Sequence, residues 1–292
     1  AAVGAMRPLA WVSSQSLVAG LREGADQARD TGRLSLFATG SQIFSPLIVG
    51  FVAQVTDTGN AFFAMAAYCA VFVSVGAMIK QGADAGSRSQ AKRRGLIAGL
   101  RLLKIRGIRV VMFLTFARLW TTTAFVAFVP LLLVTNGVEE GSAATVISGA
   151  AIVATVMSST SGKLAERMPV ETVAALSLAC GAVGLAVAPL LDRMPAAYLI
   201  GILVGIGNGL SLPTLLVLVS RAVTSDRRGL ALGLRSSVNQ VAAALAPVLV
   251  AAMIGATVAA SGFILAAGVA AGFIGTATLT SRRGRDTGSQ SH

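Results

Sequence analysis

Long apolar runs alternate with short polar joints along this chain, and within each run the apolar residues are continuous rather than every second one. Nine runs approach the roughly 20 residues that a helix needs to cross the hydrocarbon core of a bilayer. They are 3–21, 34–55, 61–79, 108–134, 143–162, 172–191, 196–220, 230–254 and 258–279. Barrel strands need only about ten residues and alternate in polarity, so the pattern predicts transmembrane helices. The expected fold class is an all-α polytopic membrane protein.

Composition agrees. Hydrophobic residues make up 54% of the 292 and charged ones 12%, with a mean hydropathy of +0.76. Soluble domains carry roughly twice that share of charge. So few charges cannot cover a water-soluble surface of this size.

The net charge of +12 could signal nucleic-acid binding, but the placement of the basic residues says otherwise. Arg22, Arg29 and Arg33 follow the first run, and the next joint, near Asp57, has no basic residue. Nine basic residues fill 80–109, whereas Glu139 and Glu140 mark the joint after it. Lys163 and Arg167 come next, then Arg193 alone, then Arg221, Arg227, Arg228 and Arg235, and finally Arg282, Arg283 and Arg285 in the tail. Setting aside Arg7, Arg118 and Arg193, 21 of the 24 Lys and Arg fall on one side, which marks the cytoplasm. The expected partner is the lipid bilayer and not nucleic acid. The C-terminus is expected inside and Ala1 outside, and the Ala- and Gly-rich composition points to a bacterial inner membrane.

Catalytic and metal chemistry find no material. The sole histidine is His292, and Cys69 and Cys180 both lie inside apolar runs. No His/Cys metal site, no His-dependent triad and no nucleophile–base pair is expected, so the chain reads as neither an enzyme nor a cofactor protein.

The joint 81–107 is the longest. Its first half, Gln81 to Gln90, is polar, and its second half sets Leu96, Leu100 and Leu103 at helical spacing among arginines. This predicts an amphipathic helix lying on anionic headgroups, the alternative being a solvated linker. The expected organisation is three helices in 1–80, this linker, six helices in 108–280 and a cytoplasmic tail 281–292. Nine spans beginning outside suit a twelve-span protein that has lost its first three, so the chain is expected to be a fragment, inactive by itself.

Several motifs carry a family resemblance. The run Ser161-Gly162-Lys163-Leu164-Ala165-Glu166-Arg167 resembles the cytoplasmic G-x-L-(D/E)-R loop of the major facilitator superfamily, departing from it at Met168-Pro169. The run Ser225 to Gly233, with Pro247 fourteen residues after Gly233, resembles that family's entry into its eleventh helix. An earlier copy exists in Asp30-Thr31-Gly32-Arg33, with Pro46 fourteen residues after Gly32. The resemblance covers helices four to twelve, giving an incomplete N-terminal lobe of three helices and a complete six-helix C-terminal lobe. It implies a secondary transporter of small molecules, working by alternating access and monomeric in function. By the same resemblance Gly162, Glu166 and Arg167 form part of an inner gate, pairing with Arg33 or the start of 34–55; the bland alternative is that Glu166 and Arg167 solvate a turn.

The family's fourth, seventh and tenth helices resemble cavity-lining elements, so polar residues on the matching runs are candidate substrate contacts. Arg118 stands first, deep within 108–134, with Thr115 and Thr122 on one helical stripe and Trp120 beside it. An Arg at mid-helix costs about 3 kcal/mol on insertion scales, so it must face protein or water. It either contacts an anionic or carboxylate group of the substrate, or snorkels to the headgroups or locks the two lobes together. Asn208 and Ser211 sit three apart on the tenth helix; Gln15, Gln42 and Asn239 are further candidates, each equally suited to satisfaction by a neighbouring helix. Gly201, Gly205 and Gly209 form a four-residue ladder expected to be a packing face. Arg235 is expected to snorkel to the cytoplasmic surface.

All twelve acids map to joints or the tail, so proton coupling, if present, uses a carboxylate on the missing helices or another device. The apolar walls lean towards an exporter of amphipathic compounds over a sugar permease. The rival reading is a non-transporting membrane protein, such as a sensor or a permease subunit of a larger complex. Single-cysteine labelling should find 80–107 reactive from the cytoplasm and 135–141 from outside; the reverse pattern overturns the orientation.

Overall fold

Polar punctuation decides where each helix stops. The computed structural model describes residues 43–44, 46–57, 59–60, 63, 66–67, 70, 96–191, 193–256 and 259–288. The chain divides into two units, Ala1–Lys92 and Arg93–His292.

In the first unit, Pro46–Val55 is helical, as are residues 43 and 44. The Thr56 hydroxyl donates to the Val52 carbonyl at 2.7 Å. Asp57 then accepts from the Asn60 backbone N–H at 2.7 Å and from its side-chain amide at 3.0 Å. That arrangement caps the next helical residues where the sequence placed a non-basic joint.

The second unit contains six long helices. They are α1 (Arg106–Thr135), α2 (Glu140–Arg167), α3 (Val170–Val187), α4 (Ala197–Ala222), α5 (Ser225–Ala256) and α6 (Ala259–Gly288). All six are long and apolar enough to cross a membrane. They reproduce the last six predicted runs and overshoot most of them by a few residues, since a helix does not end where the hydrocarbon does.

Each end has a local cause. Gly137, at φ +86°, sits just past α1, and its N–H and that of Val138 return to the Val134 and Leu133 carbonyls at 3.0 Å. This is a Schellman closure, which needs the left-handed residue that glycine supplies. Pro169 stops α2, whose last turn carries Arg167, while Glu171 lies in the first turn of α3. Both charges oppose the local helix dipole. The run Ser161–Arg167 is therefore the end of a helix, and the turn is confined to Met168-Pro169.

The expected amphipathic helix is interrupted. Leu96–Arg101 is followed by a 3₁₀ turn, Leu102–Lys104, and a break at extended Ile105. Leu102 is buried with Ile108 and Val111, and Leu103 and Ile105 pack on the same cluster, whereas Leu100 is 49% exposed. Of the expected apolar face, Leu103 joins the lobe and Leu100 stays outside it.

Helix α4 lies between α2 and α3, and α6 packs against both α1 and α3; α1 also meets α5. In lipid the hydrophobic effect does not drive helices together, so close backbone approach does. The glycine ladder serves that purpose. A Cβ on Gly201 would come within 2.8 Å of the Val146 carbonyl oxygen, and one on Gly205 within 2.6 Å of that of Ala150. Gly209 is equally tight against Ala154. One helical face along, Gly207 abuts Gly181 and the Ser177 carbonyl of α3.

The apolar interior falls into two cores. One contains Phe125, Leu133, Val146, Leu185, Ile200 and Phe263; the other contains Ile108, Leu114, Val170, Leu178, Leu215 and Ile274. Along α1 the second core ends at Ala117 and the first begins at Trp120. A polar waist lies between them.

The packing generates a paired prediction. Gly205→Ala should cost about 1–3 kcal/mol, since the backbone contact cannot yield cheaply. Gly268→Ala on α6, where a Cβ meets nothing within 4 Å, should be neutral. Thermal unfolding in detergent distinguishes the two, and equal midpoints would remove the ladder as the α2–α4 seam.

Candidate functional site

Residues of the waist share a depth. Arg118 is twelve residues into α1, about 18 Å along its axis at 1.5 Å per residue. Arg235 is ten residues into α5, about 15 Å, and Asn239 one turn further, about 21 Å. Asn208 lies fourteen residues before the end of α4, again about 21 Å. Successive helices run in opposite directions, so the start of α1, the start of α5 and the end of α4 share one membrane face. Counted from their apolar runs, Arg118, Asn208 and Asn239 stand near the middle of a hydrocarbon core about 30 Å thick, with Arg235 one turn shallower than Asn239.

Arg118, Thr121, Thr122 and Asn208 line one narrow crevice, wide enough for a water-sized group, together with Leu178 and Gly181 of α3 and Val204 and Gly207 of α4. The meeting of Gly181 with Gly207 leaves no side chain between α3 and α4 at this level, which keeps the crevice open.

Polar groups here have unspent capacity. Arg118 Nε and Asn208 Oδ1 are sealed from solvent without a hydrogen-bond partner among the described residues, as are Arg235 Nε, Asn239 Oδ1 and the hydroxyls of Thr115 and Thr121. Such groups ordinarily find partners, so their concentration in the middle stretch of the bundle needs an explanation. Neither arginine's Nε finds a partner among the described residues.

The structure places the other sequence candidates as follows. Thr122 lines the crevice but gives its hydroxyl to the Arg118 carbonyl at 2.8 Å. Thr115 and Ser211 are fully buried, and Ser211 donates to the Asn208 carbonyl at 3.2 Å. Trp120, drawn beside Arg118 on the helical stripe, points elsewhere. Its indole N–H donates to the Ala266 carbonyl at 2.9 Å, its ring stacks on Phe116, and it is a core residue fastening α1 to α6. On α2, Gly162, Glu166 and Arg167 are exposed, and neither charge forms an ion pair among the described residues. Gln15, Gln42 and Arg33 lie outside the described residues, so the proposed pairing at the inner gate lies there too.

Sequence reasoning missed Arg235. Placed by its run at the shallow end of a helix, it was expected to reach the surface; in the structure it is 9% exposed. Its burial comes from packing, since α5 lies against α1, which an apolar-run count along one helix does not reveal.

The profile of the Major Facilitator Superfamily matches residues 1–247 and again 111–288. The chain belongs to that superfamily. Its fold is similar to that of the crystallised fucose:proton symporter of E. coli, with a TM-score of 0.52 and 17% identity over 93% of this chain. The alignment takes in 64% of the symporter, so this chain spans less than two thirds of that protein. No curated protein matches by sequence. The superfamily is one of membrane transporters and not of enzymes, which agrees with a multi-pass chain lacking a catalytic constellation.

Trp120→Phe should lower stability by about 1 kcal/mol, the usual net worth of one hydrogen bond, and leave the crevice intact. A wild-type melting midpoint would show that the indole N–H does not fasten α1 to α6.

Proposed function

We propose that this chain is the membrane-spanning body of a secondary transporter that moves a small molecule by alternating access, with Arg118 as its substrate contact in the C-terminal lobe. The observation that carries the reading is the crevice at mid-bilayer, where Arg118 and Asn208 meet with hydrogen-bonding capacity unused. A structural arginine at that depth would be expected to have a neutralising partner, because an uncompensated charge in hydrocarbon is costly. Superfamily membership and the likeness to a symporter support the transport class.

Export of amphipathic compounds from a bacterial cell, with the C-terminus cytoplasmic, is the direction we favour. Leu178 and Val204 give the crevice apolar walls, and few charges enter the spans. Glu140, Glu166 and Glu171 stand in terminal turns, so the described helices bring no carboxylate to the waist. Proton coupling, if it operates here, falls to groups beyond them.

Screened for export in inverted vesicles, the Arg118→Ala variant should lose at least tenfold in transport at unchanged membrane abundance. Unchanged transport would leave Arg118 a structural residue and remove the site from the proposal.

A further inference from the structure

An unpaired guanidinium and a water-sized opening meet at one point of the lobe. Arg118 of α1, Thr121 one turn on, and Asn208 of α4 line the same narrow crevice, with Gly181 and Gly207 also in its wall. Three polar atoms of these residues are sealed from solvent without a partner among the described residues, namely Arg118 Nε, Thr121 Oγ1 and Asn208 Oδ1. Thr121 is itself only 5% exposed. The helices of this unit bring no counter-charge to that depth. Glu140, Glu171 and Asp226 stand where helices begin, Glu166 and Asp286 where they end, and the sequence puts Glu139 and Asp192 in joints. A guanidinium so placed persists only where something compensates it.

We propose that this crevice binds a monatomic anion, chloride under ordinary ionic conditions, held by Arg118, Thr121 and Asn208 between α1, α3 and α4. Size and charge select it. The opening admits a water-sized group, and halides are the anions nearest to water in size, whereas sulfate, phosphate and carboxylates are too large. A water molecule would satisfy the hydrogen bonds and leave the charge standing. The Arg118 Nε–H donates to the ion, the Thr121 hydroxyl rotates to donate beside it, and the Asn208 amide turns its NH₂ inward. Leu178 and Val204, each 3% exposed, close the apolar side of the crevice. The space exists because α3 and α4 meet through glycine. A Cβ on Gly181 would lie 3.6 Å from Thr121 Cγ2 and 3.7 Å from Gly207 Cα, in the crevice itself and without a clash. The assignment rests on the crevice and not on the transport reading; a cargo that contacts Arg118 has to displace the ion.

The test uses the purified chain in nanodiscs at constant ionic strength, with chloride or bromide exchanged against gluconate or sulfate. Either halide should raise the melting midpoint in a saturable way, and sulfate should not. Gly181→Ala, which adds a methyl to the crevice at ordinary contact distance, should melt like the wild type in gluconate and lose the halide response. Thr121→Val should weaken halide binding about tenfold, the worth of one hydrogen bond to an ion. It should not lower the midpoint in gluconate, because the hydroxyl has no partner to lose among the described residues. Arg118→Gln should abolish the response. Crystals grown in bromide should show anomalous scattering beside the Arg118 guanidinium.

A midpoint insensitive to halide, a full halide response in Gly181→Ala or Thr121→Val, equal stabilisation by sulfate, or a crystal holding water alone in the crevice would each overturn the assignment. Halide binding together with unchanged transport in Arg118→Ala would leave the ion site standing and defeat Arg118 as a cargo contact. Loss of transport in Arg118→Ala, with no halide binding in the wild type, would do the reverse.

Discussion

An arginine at mid-bilayer with no acid to meet it is the constraint around which this lobe is arranged. Moving the charge there costs about 3 kcal/mol even on the most lenient insertion scale. Arg235, buried on a helix packed against α1, adds a second charge to that cost. Helix packing cannot offset this locally, since the neighbours of Arg118 on the crevice wall are two threonines, an asparagine, two glycines and two aliphatic residues. The apolar cores above and below the waist must supply the stability that the waist consumes.

Those cores are built with little help from hydrophobicity, which lipid does not reward. Glycine performs the function that leucine performs in water-soluble bundles, letting α4 lie against α2 at 201, 205 and 209 and against α3 at 207. A backbone-on-backbone seam is stiff, because carbonyl oxygens cannot move aside as side chains do. The polar hooks add to it: the Trp120 indole reaches Ala266 of α6, and the Thr145 and Tyr198 hydroxyls meet at 2.7 Å between α2 and α4. The waist is thereby held open by rigid walls.

The fold was legible because membrane solvation writes it into the sequence twice, once as apolar runs and again as the alternation of basic joints. The Gly201 ladder was legible too, since only small residues at four-residue spacing allow such approach. The site was read less well, and for a common reason. Periodicity locates residues around a helix only relative to each other. It placed Trp120 near Arg118 but could not say that α6 waits on that side. It assigned exposure to Arg235 from its place near the edge of an apolar run, whereas exposure is set by the neighbours that pack there, and α5 packs on α1.

That error of exposure bears on the physics of the site. At the surface, Arg235 would extend its stem to the headgroups and leave Arg118 as a lone charge, which a snorkelling side chain or a lobe-to-lobe lock explains adequately. In the observed packing neither account suffices. Arg235 is buried with its Nε unpartnered among the described residues, on a helix packed against that of Arg118. Two positive groups cannot serve as each other's lock. A carrier gains from this frustration, because a site that is unfavourable when empty favours whatever neutralises it, and the gain on binding is available to shift the balance between conformations. The polar waist is thus the least stable layer of the lobe and the one best suited to respond to a ligand.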